Sequence, residues 1–203
     1  MRNNPSAVRF LALAAFLILI STASIAGELP APNGSDEPAA WWRTDRIERE
    51  GLPAEVPRVG TVLTVDTTEH MAYLWRDGNL VIKGPAATGR DEMLIHGRER
   101  WMFRTPHGRI PILEKIVDPV WSKPDWAFVE KHEPVPPPDS QLRYERGVLG
   151  DYALDLGDGI LVHGTKDRSS LGKAASHGCI RLGAEMLKTV YDAMEVGEFV
   201  YVY

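Results

Sequence analysis

From Arg58 onward, short runs of alternating apolar and polar positions recur along the chain, each closed by Gly, Pro or Asp. Residues 61–65 (Thr-Val-Leu-Thr-Val) are rich in β-branched side chains, which fit a pleated, half-buried surface. Residues 71–75 and 80–82 flank Asp77-Gly78-Asn79, the pattern of a β-hairpin. Further strands are predicted at 109–113, 152–156, 160–163 and 198–203. So many short strands predict a mainly β fold, an antiparallel sandwich or barrel-like core, with one or two short helices. The clearest helix carries Met186, Leu187, Val190, Tyr191 and Met194 at helical spacing, with Gly197 as its stop. Proline cannot donate to a strand ladder, so the Pro-rich run 133–140 is predicted as a surface loop, placed to wall or cover a cleft.

The pattern before Arg58 is different. Arg2 and Arg9 precede an apolar run over 10–20, followed by small residues ending Ser24-Ile25-Ala26, the layout of a secretory signal peptide. The run is short for a bilayer-spanning helix, which needs about 20 apolar residues. Residues 1–26 are therefore expected to be a cleaved signal, and no stable membrane insertion is expected after cleavage. Residues 27–57, rich in Pro, Ala, Asp and Glu, are expected to be a flexible tether, with a short helix over 44–50 and with Trp41-Trp42 docking on the domain. Residues 58–203 are then one catalytic domain. The net charge of −5 gives no general pull toward nucleic acid or anionic lipid.

The chain has one cysteine, Cys179. Exported proteins usually carry cysteines in pairs, so this one is buried, intermolecular or reactive. Its neighbours favour the last. Ser176-His177-Gly178-Cys179-Ile180-Arg181-Leu182 packs special residues densely, and His163-Gly164 ends a predicted strand sixteen positions upstream. A thiol attacks carbonyls as thiolate, so its ordinary value of about 8.5 must be lowered by an imidazolium or a helix N-terminus. His163 and His177 are candidates for the first, and the predicted helix after the motif for the second. His177 and Cys179, two apart on an extended segment, would share a face. Backbone N–H groups around Gly178 and Cys179 would serve a developing oxyanion, and Arg181 a substrate carboxylate. A zinc site of His163, His177 and Cys179 is the metal alternative, but it lacks an obvious fourth ligand.

These residues resemble the signature of the L,D-transpeptidase catalytic domain, the YkuD-like domain. The resemblance extends to Ile160-Leu161-Val162-His163-Gly164-Thr165 and to Gly147-Val148-Leu149-Gly150-Asp151-Tyr152-Ala153-Leu154. It is weaker at Thr105-Pro106-His107-Gly108 and at residues 119–126, and it covers roughly 59–203. It implies that Cys179 attacks the carbonyl of the third, L-centred residue of a peptidoglycan stem tetrapeptide, expelling the terminal D-alanine and leaving a thioester. By the same resemblance His163 donates and accepts protons, the Gly164 carbonyl orients its ring, and His177 lines the oxyanion side or tunes the thiolate. Ser176, Thr165 and Arg181 would shape the pocket, Arg181 holding the substrate carboxylate.

An amine acceptor would give an L,D (3-3) crosslink, water an L,D-carboxypeptidase, and an outer-membrane lipoprotein lysine an anchoring or releasing enzyme. A catalytically silent wall-binding domain is the reading from another class. The implied setting is the periplasm or cell wall, with stem peptides as partners. The implied chemistry requires no metal or organic cofactor. It also implies covalent capture of carbapenems, and a thiol that iodoacetamide alkylates faster than free cysteine. Residues 89–104 are longer and more charged than the simple turn the family suggests there.

Overall fold

The computed structural model describes residues 56–203; the predicted signal peptide, the Trp41-Trp42 pair, the 44–50 helix and most of the tether lie outside them. Ten strands form one curled mixed sheet, in the order β6-β14-β1-β2-β3-β13-β11-β10-β7, with β12 beside β3. It begins with β1 (Thr61–Asp66), β2 (Met71–Arg76) and β3 (Asn79–Gly89). The β2–β3 turn has Asp77 and Gly78 at φ 49° and 78°, the two positive values of a tight hairpin turn. The other sheet strands are β6 (Gly108–Pro111), β7 (Glu114–Val117), β10 (Tyr152–Asp155), β11 (Leu161–His163), β12 (Lys173–Ser176), β13 (Ile180–Leu182) and β14 (Phe199–Val202). Two separate hairpins pair β4 (Glu92–His96) with β5 (Glu99–Phe103), and β8 (Val120–Ser122) with β9 (Tyr144–Arg146).

Alternation along β1 decides the two faces of the sheet. Leu63 and Val65 join Leu74, Ala86, Leu154, Val162, Ile180 and Leu182 on the inner face, around the apolar stripe of helix α2 (Ala184–Ala193). Met186, Leu187 and Val190 of that helix are buried there. Val62 faces the other way, with Tyr73, Trp75 and Val56 in a second cluster, where Thr64 Oγ1 accepts a 3.0 Å hydrogen bond from the Trp75 indole. The structure departs from the expected antiparallel pattern in three pairings: β1–β14, β11–β13 and β12–β3 run parallel. Strand content alone does not give strand direction, and β1–β14 and β12–β3 join segments far apart in the chain.

The Pro-rich run 133–140 is free of helix and strand, as expected of a loop, but it does not line the large cleft described below. Arg143 draws it back toward α1 (Asp125–Val129). Its guanidinium donates to the carbonyls of Pro136 (2.6 Å) and Pro137 (3.0 Å) and to Asp125 Oδ1 (2.6 Å). Among the described residues no helix is long and apolar enough to cross a membrane.

Candidate active site

The carboxyl-terminal end of β11, which carries His163, and the start of β13, which Cys179 precedes, set the site. These strands are parallel neighbours, with Val162 opposite Ile180 and His163 opposite Arg181. Cys179 immediately precedes β13, so the thiol and the imidazole reach one cleft of about 880 Å³. His177, Arg181 and Thr165 line the same cleft. Rigid strands position reactive side chains more firmly than loops do.

The nucleophile loop is closed by its own side chains. The Ser176 hydroxyl is fully buried; it donates to the Cys179 carbonyl (2.5 Å) and accepts from the Gly178 N–H (3.1 Å). Thr105 ties the loop to β3, donating to the Gly178 carbonyl (2.9 Å) while accepting from the Gly89 N–H (2.8 Å). Gly178 has φ 126°, and a Cβ there would stand 3.0 Å from Ile160 Cδ1 and 3.2 Å from the Arg104 carbonyl oxygen. Only glycine fits both the angle and the space. The angle also breaks the two-residue alternation from which a shared His177–Cys179 face was expected. The Gly178 N–H, expected to face an oxyanion, is engaged by Ser176 in this state.

The environment of the thiol corrects a second expectation. α2 begins at Ala184, with β13 intervening, so no helix N-terminus meets the sulfur. Burial pushes the Cys179 thiol up from its ordinary value; the Leu161 N–H, donating to Sγ at 3.4 Å, and the Arg181 charge only partly oppose this. The residue is partly exposed and lines the cleft. The thiol in turn donates to the Gly159 carbonyl at 3.6 Å. The resting sulfur is therefore protonated, and fast alkylation is not expected of it.

His163 is 5% exposed. Its Nδ1–H donates to the Gly164 carbonyl at 2.6 Å, which fixes the tautomer and leaves the Nε2 lone pair open. Burial lowers its pKa to about 4, with the Arg181 charge adding to the effect and contacts to the Gly164 and Leu149 carbonyls opposing it. The imidazole is a neutral base across the physiological range. Arg181 makes no ion pair among the described residues. The Thr165 hydroxyl donates to the Asp167 carbonyl at 3.2 Å and accepts from the Asp167 N–H at 3.1 Å.

His177 is held by residues that its sequence neighbourhood does not reveal. Its Nε2 lies 2.8 Å from Glu130 Oε2, and its ring stacks on Trp126 (4.1 Å, 17°) and meets Phe103 edge-on (4.6 Å, 81°). Glu130 also pairs with Arg90, whose guanidinium lies 4.7 Å over Phe103. Burial tends to raise the Glu130 carboxyl, but hydrogen bonds from Arg90 and His177 outweigh it and hold the group below its usual range. Burial also lowers the His177 pKa, more than Glu130 raises it. His177 is thus a neutral donor clamped to Glu130. Glu130→Ala is expected to destabilise the fold by about 1–2 kcal/mol, because it leaves half-buried His177 without its acceptor and removes one of the two carboxylates paired with Arg90. Glu130→Gln, which still accepts from His177, should retain most of that. Urea unfolding of the two variants checks this, and equal stabilities of wild type and Ala would refute the clamp.

The fold and the sequence both have known relatives. A family model described as the L,D-transpeptidase catalytic domain matches residues 60–202. The probable L,D-transpeptidase ErfK/SrfK of Salmonella typhimurium is 27% identical over 160 residues, 72% of this chain and 50% of that protein. The chain therefore spans about half the length of the curated relative it matches. L,D-transpeptidase 3 from Mycobacterium tuberculosis, solved with a faropenem-derived adduct, is 25% identical with a TM-score of 0.52, covering 70% of this chain and 60% of that one. An L,D-transpeptidase from Mycobacterium smegmatis shares the fold at 23% identity, with a TM-score of 0.51 and coverage of 70% and 58%.

Proposed function

The chain belongs to the L,D-transpeptidase catalytic domain family, and from that premise we propose that it is a cysteine acyltransferase acting on peptidoglycan stem tetrapeptides to form 3-3 crosslinks. One observation carries the reading. The Gly164 carbonyl takes the Nδ1–H of a buried, neutral His163, so the free Nε2 and the Cys179 thiol serve one cleft.

In the first half-reaction Nε2 takes the thiol proton as Sγ bonds to the carbonyl carbon of the third stem residue. The tetrahedral intermediate collapses with cleavage of the C–N bond to D-alanine, and the imidazolium returns its proton to the departing amine. In the second, the amine of a neighbouring stem attacks the thioester, gives a proton to Nε2 and releases the thiol. Burial supports this order of events. A protonated thiol and a neutral imidazole tolerate a dry site at rest, and charge separates only as the new bond forms. Arg181 takes the substrate carboxylate, Thr165 shapes the far end of the pocket, and Ser176 holds the loop. The Cys179 N–H, together with Gly178 once the Ser176 contact yields, receives the oxyanion. Residues 1–26 direct export, 27–57 tether the catalytic domain 58–203, and the enzyme works in the periplasm or cell wall.

The test is mass spectrometry of muropeptides after incubating purified disaccharide-tetrapeptide with the protein and with Cys179→Ala. Dimers lacking one D-alanine, absent in the control, are the expected result. Tripeptide alone would make water the acceptor. No change with a folded protein would remove the reading in favour of a protein lysine or a silent wall-binding domain. β-Lactams of the penem and carbapenem classes are expected to form a covalent adduct at Cys179, read out by the intact mass of the protein, in line with the faropenem-derived adduct of the mycobacterial relative.

A further inference from the structure

Three of the six tryptophans in the chain, Trp101, Trp121 and Trp126, line the single cleft that holds Cys179. All three are partly exposed. Their placement is ordered. Trp126 stacks on His177 at 4.1 Å, and Trp121 follows at 6.0 Å, tilted by 45°. An aromatic ladder thus leads away from the nucleophile loop along β8 and α1. Trp101 lines the cleft from β5, on the separate β4–β5 hairpin, accompanied by Arg100. The thiol chemistry uses none of these three rings, and the indole faces they leave open to the cleft are apolar surfaces for whatever occupies it.

We propose that the part of the cleft lined by Trp121 and Trp101 is a subsite for a pyranose ring of the glycan strand that bears the stem peptide. The inference rests on the acyl-transfer reading above and adds a second recognition element to it. A pyranose offers an apolar C–H face for an indole and a rim of hydroxyls. Arg100 and Ser122, which line the cleft beside these rings, supply polar partners for that rim. Reach agrees with the assignment. The attacked carbonyl belongs to the third stem residue, so the sugar lies about three residues, or roughly 10 Å, upstream. Trp121 and Trp101 line the same cleft as Cys179, so a stem peptide held at the thiol keeps its sugar within reach of that cleft's walls. A cleft of about 880 Å³ lies toward the upper end of the 300–1,000 Å³ usual for small-molecule sites, ample for a sugar beside a tetrapeptide end.

The experiment compares kcat/KM for disaccharide-tetrapeptide and for the same tetrapeptide without sugar, in wild type, Trp121→Ala, Trp101→Ala and Trp121→Phe. It is paired with a tryptophan-fluorescence titration of Cys179→Ala by the peptidoglycan disaccharide alone. The expected wild-type preference for the glycosylated substrate is roughly three- to tenfold, falling toward unity in the alanine variants and largely kept by phenylalanine. A wild-type preference near unity, or alanine variants that slow both substrates equally, would overturn the proposal and make the wall a peptide-packing surface. If wild type acylates with neither substrate, the acyl-transfer reading fails and the titration alone decides. A saturable signal lost in Trp121→Ala would still establish a saccharide site, and a flat titration would exclude one.

Discussion

Replacing His163 by alanine is expected to slow acylation of Cys179 by about 10²–10⁴-fold, the usual contribution of a positioned base, with the resting thiol left as it was. The second half of that expectation separates two mechanisms. In a resting thiolate–imidazolium pair, removing the imidazolium would raise the thiol pKa and abolish fast alkylation. Here burial already holds the thiol protonated and the imidazole neutral. Iodoacetamide at pH 7 should therefore react more slowly with Cys179 than with free cysteine, and at a similar rate in the variant. Rapid, His163-dependent alkylation would reinstate the ion pair.

The same burial links stability to pH. The His163 pKa falls from 6.5 unfolded to about 4 folded, so between these values the unfolded chain binds more protons and stability declines as pH falls. The loss from this one residue approaches about 3 kcal/mol by pH 4. In His163→Gln that component disappears, and the stability–pH curve should be flatter between pH 6.5 and 4. Urea midpoints across that range measure it. For kcat/KM of the wild type, a flat profile down to about pH 5 is expected in place of an acid limb near 6.5.

The chemistry of the site was legible because its residues are close together in the chain. Ser176, His177, Gly178 and Cys179 form one short loop whose hydrogen bonds run within three residues. The residues that support that loop were not legible, because they act across distance. Glu130 reaches His177 from 47 positions away and Thr105 reaches Gly178 from 73, and neither has a local pattern to mark it. Trp121 and Trp126 were the available signal, since both fall in the 119–126 segment that shares the weaker resemblance.

The fold divides in the same way. β1 and β2 are nearly continuous runs of buried, mostly apolar residues and α2 buries one clean stripe, whereas the β4–β5 hairpin leaves most of both faces exposed. Its charged residues Glu92, Arg98, Glu99 and Arg100 hide the alternation that would have announced it, so it read only as a long charged segment. α1 has five residues, too few for a helical period to show. The thiol pKa was misread for a related reason: motif residues suggest which charges stand nearby, while the dominant influence on Cys179 is burial by the whole fold.

Gly150→Ala is expected to cost about 2–4 kcal/mol of stability and, in whatever fraction folds, to impair the base. Gly150 has φ 78°, and a Cβ there would lie 2.9 Å from Gly164 Cα and 3.3 Å from Gly164 N. The contact is mutual, since a Cβ on Gly164 would lie 3.0 Å from Gly150 Cα. Two backbones cross here with no room for a methyl group, held by the Gly164 N–H donating to the Leu149 carbonyl at 2.7 Å. The strained atoms belong to backbone that cannot swing aside, and Gly164 is the residue whose carbonyl fixes His163 Nδ1. A shift of about 1 Å in that carbonyl would turn the imidazole and cost on the order of 10²-fold in rate. Gly60→Ala is the control, because Gly60 has φ 84° but nothing within 4 Å of its would-be Cβ. It should incur the backbone strain alone, about 1–2 kcal/mol, with an unchanged acylation rate. Equal losses in the two variants would mean that the crossing exerts no pressure on the site; a rate loss confined to Gly150→Ala would place the orientation of His163 under the control of a glycine thirteen residues upstream of it.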